Sequence, residues 1–128
     1  MDKTPRLLVW NYTQEEKDKL DALLSEIGAP FATAISSDQG HLPLKTIIHT
    51  NGHGRDILQC DEKVLLFYNI PEKGVFLLIN LFKKEDLPRP IYAVVTKHSI
   101  DWPFSRLLDH LISERDNAEK SSQSRRQQ

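Results

Sequence analysis

The chain has a single cysteine in 128 residues, Cys60, so no intrachain disulfide can form. A lone cysteine with no sign of a reactive neighbourhood behaves as a small apolar side chain. No apolar stretch approaches the ~20 residues needed to cross a bilayer. The opening segment Met1-Asp2-Lys3-Thr4-Pro5-Arg6 lacks the apolar core of a secretory signal. These absences predict a cytoplasmic protein with no membrane partner. Charge of one sign is missing too: 17 Lys and Arg stand against 18 Asp and Glu, a formal net charge of −1. The chain as a whole has no electrostatic pull toward nucleic acid, and Lys120, Arg125 and Arg126 are too few to supply one.

Glycine is absent where phosphate chemistry would need it. Dinucleotide and P-loop sites use glycines so that the backbone can wrap a phosphate. The turns at 11–14 and 69–73, which follow the first and third apolar strands, contain none. Nucleotide binding is thereby disfavoured, and no cofactor is implied. There is no G-x-S-x-G elbow. Among His41, His49, His53, His98 and His110, the pair His49 and His53 has the spacing of a helical metal pair. Asn51-Gly52 between them should break the helix, however, and no third ligand follows at a diagnostic spacing. His98, Ser99 and Asp101 are neighbours in a loop, which is not a triad, and Asp101 is suited to capping a helix. No catalytic or metal-binding residue is predicted.

The composition, 39% hydrophobic and 27% charged, is that of a globular domain. A chain of this size buries roughly two thirds of its unfolded surface, enough for one core. Residues 1–119 read as a single α/β domain, and the polar, aperiodic stretch 120–128 as a disordered tail. Strands are expected at 7–10, 31–36, 63–68 and 91–96. Thr13 and Glu16 form a capping box for the first helix, whose Leu20, Leu23, Leu24 and Ile27 recur at helical spacing until Gly28. Pro43 opens a second helix, and Pro71 sits in the first turn of a third, at 72–84. Asp101 caps a fourth.

The two halves align. Leu7 to Asn11 matches Leu65 to Asn69 at an offset of 58, and Leu20, Leu23 and Leu24 match Leu78, Leu81 and Phe82. After a two-residue insertion the offset is 60: 31–36 matches 91–96, and Leu42-Pro43-Leu44 matches Trp102-Pro103-Phe104. Pseudo-repeats thus cover 6–52 and 64–114. Two βαβα units with right-handed crossovers predict a three-layer α/β/α fold. Its four-stranded sheet would be all parallel, in the order 2-1-3-4. The first and third helices would lie on opposite faces. The alternative is an antiparallel, ferredoxin-like α+β sheet with helices chiefly on one face.

In a parallel sheet of that order, a ligand site falls beyond the carboxyl ends of strands one and three. Asn11, Tyr12 and Thr13 would flank it on one side, and Asn69 and Pro71 on the other. As helix caps or turn residues the same asparagines need no ligand. A second feature is the third helix. Where the first helix carries Asp18, Lys19 and Asp21, the third carries Phe76, Leu77 and Ile79. An outward face that turns apolar is covered either by the 53–62 connector or a neighbouring helix, or by a partner. The second reading predicts a homodimer or protein partner through helix 72–84. The expected function is a non-enzymatic interaction or regulatory module that self-associates. The alternative is a small-molecule-binding or enzymatic domain using the strand-end crevice.

Two resemblances qualify this. Residues 63–71 and 89–96 faintly resemble strands of bacterial response-regulator receivers, with Asn69 at the phospho-acceptor position. Trp10-Asn11-Tyr12 supplies no carboxylate pair for Mg²⁺, so the resemblance implies a degenerate, unphosphorylated relative. More specifically, Lys63 to Asn69, the run Leu87-Pro88-Arg89-Pro90-Ile91-Tyr92-Ala93-Val94-Val95-Thr96, and Trp102 followed by Leu107-Leu108 and Glu114 resemble a bacterial and archaeal family, the domain-of-unknown-function family 3783. The resemblance covers the second half of the chain. It implies a prokaryotic cytoplasmic protein and carries over no catalytic residue.

Overall fold

The computed structural model describes residues 4–50, 52–85, 87 and 89–126, with side chains described through residue 118. Asn51, expected at a helix end, and Pro88, in the family-like run, lie outside the described residues, as do Gln127 and Gln128 of the expected tail. The elements in chain order are β1 (Arg6–Trp10), α1 (Gln14–Glu26), β2 (Ala32–Ile35), a 3₁₀ turn (Ser37–Gln39), α2 (Leu44–Thr50), β3 (Val64–Tyr68), α3 (Glu72–Lys84), β4 (Ile91–Val95) and α4 (Phe104–Arg126).

Local chemistry explains several of the boundaries. The capping box forms as the sequence predicts: Glu16 N–H donates to Thr13 Oγ1 at 3.1 Å, and Thr13 N–H to Glu16 Oε1 at 2.9 Å. After α1 the chain reverses at Gly28, whose φ of 69° suits glycine. Pro71 falls one residue earlier than expected, at the N-cap rather than in the first turn. Asp101 does not cap α4. Phe104 N–H and Ser105 N–H, in its first turn, donate instead to Leu42 O at 3.0 Å and Gly40 O at 2.8 Å, and Asp101 pairs with Lys45 at 3.1 Å. Helical backbone in α4 also continues past Lys120, where the chain was expected to become disordered, as far as Arg126. No glycine or proline interrupts the helix between those residues.

The sheet has the expected order, β2-β1-β3-β4, but it is mixed. β1 and β2 are parallel, β3 and β4 are parallel, and β1 runs antiparallel to β3. The connector explains the reversal. Leu58 N–H donates to Ser37 O at 2.9 Å, Trp10 Nε1 to Cys60 O at 3.3 Å, and Asn11 Nδ2 to Asp61 O at 2.7 Å. These bonds hold residues 58–61 at the carboxyl end of β1, so β3 starts there and runs back alongside. The apolar runs report that the strands are covered on both faces; they do not report strand direction.

The repeat is preserved under this different symmetry. Leu8 pairs with Leu66, its own equivalent, and the register runs outward to Arg6 with Tyr68 and Trp10 with Val64. Away from the sheet the same relation recurs. Leu44 N–H donates to Trp102 O at 2.9 Å while Phe104 N–H donates to Leu42 O at 3.0 Å. The pseudo-twofold axis therefore stands normal to the sheet, not along the strands. Equivalent helices then share a face, which corrects the expected pairing. Leu20 and Leu24 of α1 join Leu78 and Phe82 of α3 over Leu7, Val9, Leu65 and Phe67. Leu44 and Ile47 of α2 join Phe104 and Leu108 of α4 over Leu8, Trp10, Val64 and Leu66. With helices on both faces, the antiparallel one-sided alternative does not hold, and the three-layer arrangement does. Each fully buried leucine or phenylalanine in these layers contributes about 1.5–3 kcal/mol.

Candidate functional site

The antiparallel central pair separates the residues expected to flank a crevice. Asn11 follows the end of β1 and Asn69 the end of β3, at opposite ends of the pair. The five residues of β1 lie between the two positions, a span of about 20 Å at ~3.4 Å per residue step. No joint Asn11/Asn69 cleft exists. The receiver likeness also loses its geometry, because receivers need these positions at one end of the sheet.

Each asparagine instead adopts a left-handed conformation, with φ of 64° at Asn11 and 54° at Asn69. Asparagine tolerates that region better than other non-glycine residues. Around Asn11, Lys63 Nζ donates to Asn11 O at 2.8 Å and to Glu16 Oε1 at 2.7 Å, and it stands 5.5 Å from the Tyr12 ring centroid. Burial pushes the Tyr12 hydroxyl far above its ordinary value, and the nearby Tyr92 and Glu16 add to the shift. The hydrogen bond from Lys63 holds the Glu16 carboxyl below its ordinary value. Asn11, Tyr12 and Thr13 thus close the β1–α1 turn. Asn11 and Tyr12 also border a hollow of about 390 Å³ beside Trp10, Ser37 and residues 58–61.

The histidines expected not to bind metal point to different partners. His49 packs edge-on to Tyr68 at 5.7 Å, and His53 Nδ1 meets Asp38 Oδ2 at 2.9 Å. Asp38 is held below its ordinary value by the Ser36 hydroxyl and then by His53. Ser99, near His98 and Asp101 in sequence, hydrogen bonds with Thr96. Among the described residues no group of three or more His, Cys, Asp or Glu side chains could hold a metal ion.

The third helix is where exposed apolar surface gathers. Phe76 is 60% exposed and Leu77 70%, while Ile79 is half-buried against the core layer beneath α3. The connector does not cover this face, because Leu58 and Cys60 pack against the opposite core layer, that of α2 and α4. Beside Leu77 runs an apolar groove of about 700 Å³, walled by Ile27, Pro30, Ile70, Pro71 and Leu81 among others. The groove brings together Pro71 and Leu77, which the sequence assigned to different sites. It also includes Ile27 and Pro30, which sequence reasoning missed. The available signal was the uncharged run from Ile27 to Phe31, directly after a helix end.

The groove has a repeat mate. Lys19, Ala22, Leu23 and Glu26, with Glu85 and Leu87, line a smaller hollow of about 370 Å³. At the offset of 58 these positions correspond to Leu77, Asn80, Leu81 and Lys84, with Ile27 and Ala29, which line the larger groove. The backbone supplies the same depression twice. Beside α3 its lining is much more strongly apolar.

Residues 63–117 match the family model of a domain of unknown function (DUF3783). The matched span opens one residue before β3 and takes in α3, β4 and the start of α4, so it corresponds to the second repeat. No curated protein and no solved structure matches the chain. No helix among the described residues is long and apolar enough to cross a membrane.

Proposed function

We propose that this protein is a non-enzymatic interaction module that self-associates through the outward face of α3. One observation carries the reading: Phe76 and Leu77 are exposed on α3, where the equivalent positions of α1 are Asp18 and Lys19. The ends of the helix support a second copy as occupant. Glu72 lies in the first turn of α3, and Lys83 and Lys84 lie in its last. Two copies packed antiparallel about a twofold axis place Glu72 of each beside Lys83 and Lys84 of the other, with Phe76 and Ile79 between. Such an isologous contact closes on itself as a dimer, and opposite charges at its rim fix the register.

Sedimentation tests this directly. The wild-type chain should sediment as a dimer at micromolar concentration, and Phe76→Asp should shift it to monomer with an unchanged circular dichroism spectrum. A wild-type chain that stays monomeric at every concentration overturns the reading.

A further inference from the structure

The outer edge of β4 has unpaired backbone. Ile91 N–H donates to Lys63 O at 2.9 Å, so Ile91, Ala93 and Val95 turn their peptide groups toward β3. The alternation of a parallel ladder then turns those of Tyr92 and Val94 outward. At the end of the strand Thr96 is already closed off, since its N–H donates to Ser99 Oγ at 3.0 Å and its carbonyl accepts from Ile100 N–H at 2.9 Å. The N–H and C=O of Tyr92 and Val94 meet no partner among the described residues.

The opposite edge is protected. Ala32, the repeat mate of Tyr92, donates its N–H to Asp21 Oδ1 at 3.0 Å, and Lys17 holds the other carboxylate oxygen at 2.7 Å. In the second repeat the corresponding residues are Ile79 and Val75, neither of which has an acceptor to offer. Nor does β4 carry the usual devices that discourage edge pairing: Ile91 to Thr96 contains no charge, proline or glycine. Charges stand only just beyond its ends, at Arg89 and Lys97, both exposed and neither in an ion pair among the described residues. A trough of about 380 Å³ runs beside the strand, between Ala93 and the α4 side chains Leu107 and Leu111, with Trp102 in its wall.

We propose that β4 accepts an added strand from another protein: an extended, antiparallel peptide, apolar at alternate positions and acidic at both ends. Its backbone pairs with Tyr92 and Val94, alternate side chains enter the trough, and its acidic ends meet Arg89 and Lys97. A second copy of this chain fits this edge less well. Antiparallel pairing of β4 with itself, Tyr92 opposite Val94, would set Arg89 opposite Lys97 at both ends, and like charges in that position repel. The α3 face takes no part.

The test is an NMR titration of the ¹⁵N-labelled full chain with a capped peptide, Asp-Glu-Val-Thr-Val-Thr-Glu-Asp. The expected result is a saturable shift of the Tyr92 and Val94 amide signals and slower hydrogen exchange at both. A peptide with Lys in place of each acidic residue should bind about tenfold more weakly or worse. The double variant Arg89→Glu/Lys97→Glu should reverse that preference. Val94→Pro, which removes one outward N–H at an edge position, should abolish the response. The titration is repeated in Phe76→Asp, where the same response is expected, so failure of the dimer and failure of the edge site read out separately. The proposal is overturned by undisturbed Tyr92 and Val94 amides, by equal response to both peptides, or by protection of β4 that rises with protein concentration in the absence of peptide.

Discussion

The first and second repeats share a backbone and differ in what they do with its surface. Inward, Leu20 and Leu24 correspond to Leu78 and Phe82, all buried in one core layer. Outward, the first repeat is closed along its helix and its strand edge, although Ile27 and Phe31, just beyond the helix, are exposed. Its helix exposes Asp18 and Lys19, its edge N–H at Ala32 is capped by Asp21, and the connector lies against its 3₁₀ turn. The second repeat is open at the matching places, with Phe76 and Leu77 exposed and the Tyr92 edge uncapped. Apolar surface and unpaired edges are what association uses. Under the proposed reading, α3 and β4 of the second repeat make the contacts, with Ile27 and Pro30 of the first repeat completing the groove beside them.

The largest expected effect probes how the first repeat is closed. A Cβ at Gly40 would stand 2.3 Å from Leu58 Cβ, whereas the repeat mate of Gly40, Ile100, packs its own side chain against the same core layer. One repeat therefore fills this position with the connector and the other with itself. Gly40→Ala should cost about 1–3 kcal/mol by overpacking, measured by urea unfolding, and should cost less when introduced into a Leu58→Gly background, where the clashing Cβ is gone. If Gly40→Ala is neutral, the connector does not seat on Gly40 and the contrast between the repeats breaks.

A smaller effect tests whether the paired asparagines are structural. Both hold positive φ, so Asn11→Ala and Asn69→Ala should each cost about 1–2 kcal/mol, the strain of a Cβ in the left-handed region. Glycine at either position should cost less than alanine. Equal costs for alanine and glycine at one site would show that its side-chain contacts, rather than its backbone, set the choice of residue, and would separate the two turns.

How far the fold could be read in advance depended on the range of the interaction. The capping box, the helix stop at Gly28 and the span of α3 follow from residues three or four apart, and the sequence displays them. The strand order followed from the repeat. The orientation of β3 did not, because it rests on bonds from Trp10 and Asn11 to residues fifty positions away, in a connector whose composition says only that it is polar. That one sign decided the candidate site. It moved Asn69 to the far end of the sheet and dissolved the expected crevice, while Phe76 and Leu77 kept their exposure because α3's outward face does not depend on strand direction. The Asp21 cap on the β2 edge was invisible for the same reason, since nothing local links Asp21 to Ala32.

The smallest expected effect isolates an ion pair that only the first repeat has. Glu16 closes the capping box and also receives Lys63 at 2.7 Å; its repeat mate is Gly74, and the mate of Lys63 is Pro5. Glu16→Gln keeps an acceptor for the cap but removes the charge. The side chain is 25% exposed, so the loss at neutral pH should stay below about 1 kcal/mol. Its pH dependence is the sharper reading. The hydrogen bond from Lys63 lowers the folded-state value of Glu16 below the ordinary 4.5. The stabilisation is therefore complete above that value and disappears as the pH falls through the depressed one. Urea midpoints for wild type and Glu16→Gln should differ by a constant amount from pH 7 down to about 5 and then converge on further acidification. A difference that persists undiminished in acid would mean that the charge of Glu16 contributes nothing to stability, in the cap or toward Lys63. The β1–α1 turn would then be held without Lys63, and the two repeats would differ less at their helix starts than the ion pair implies.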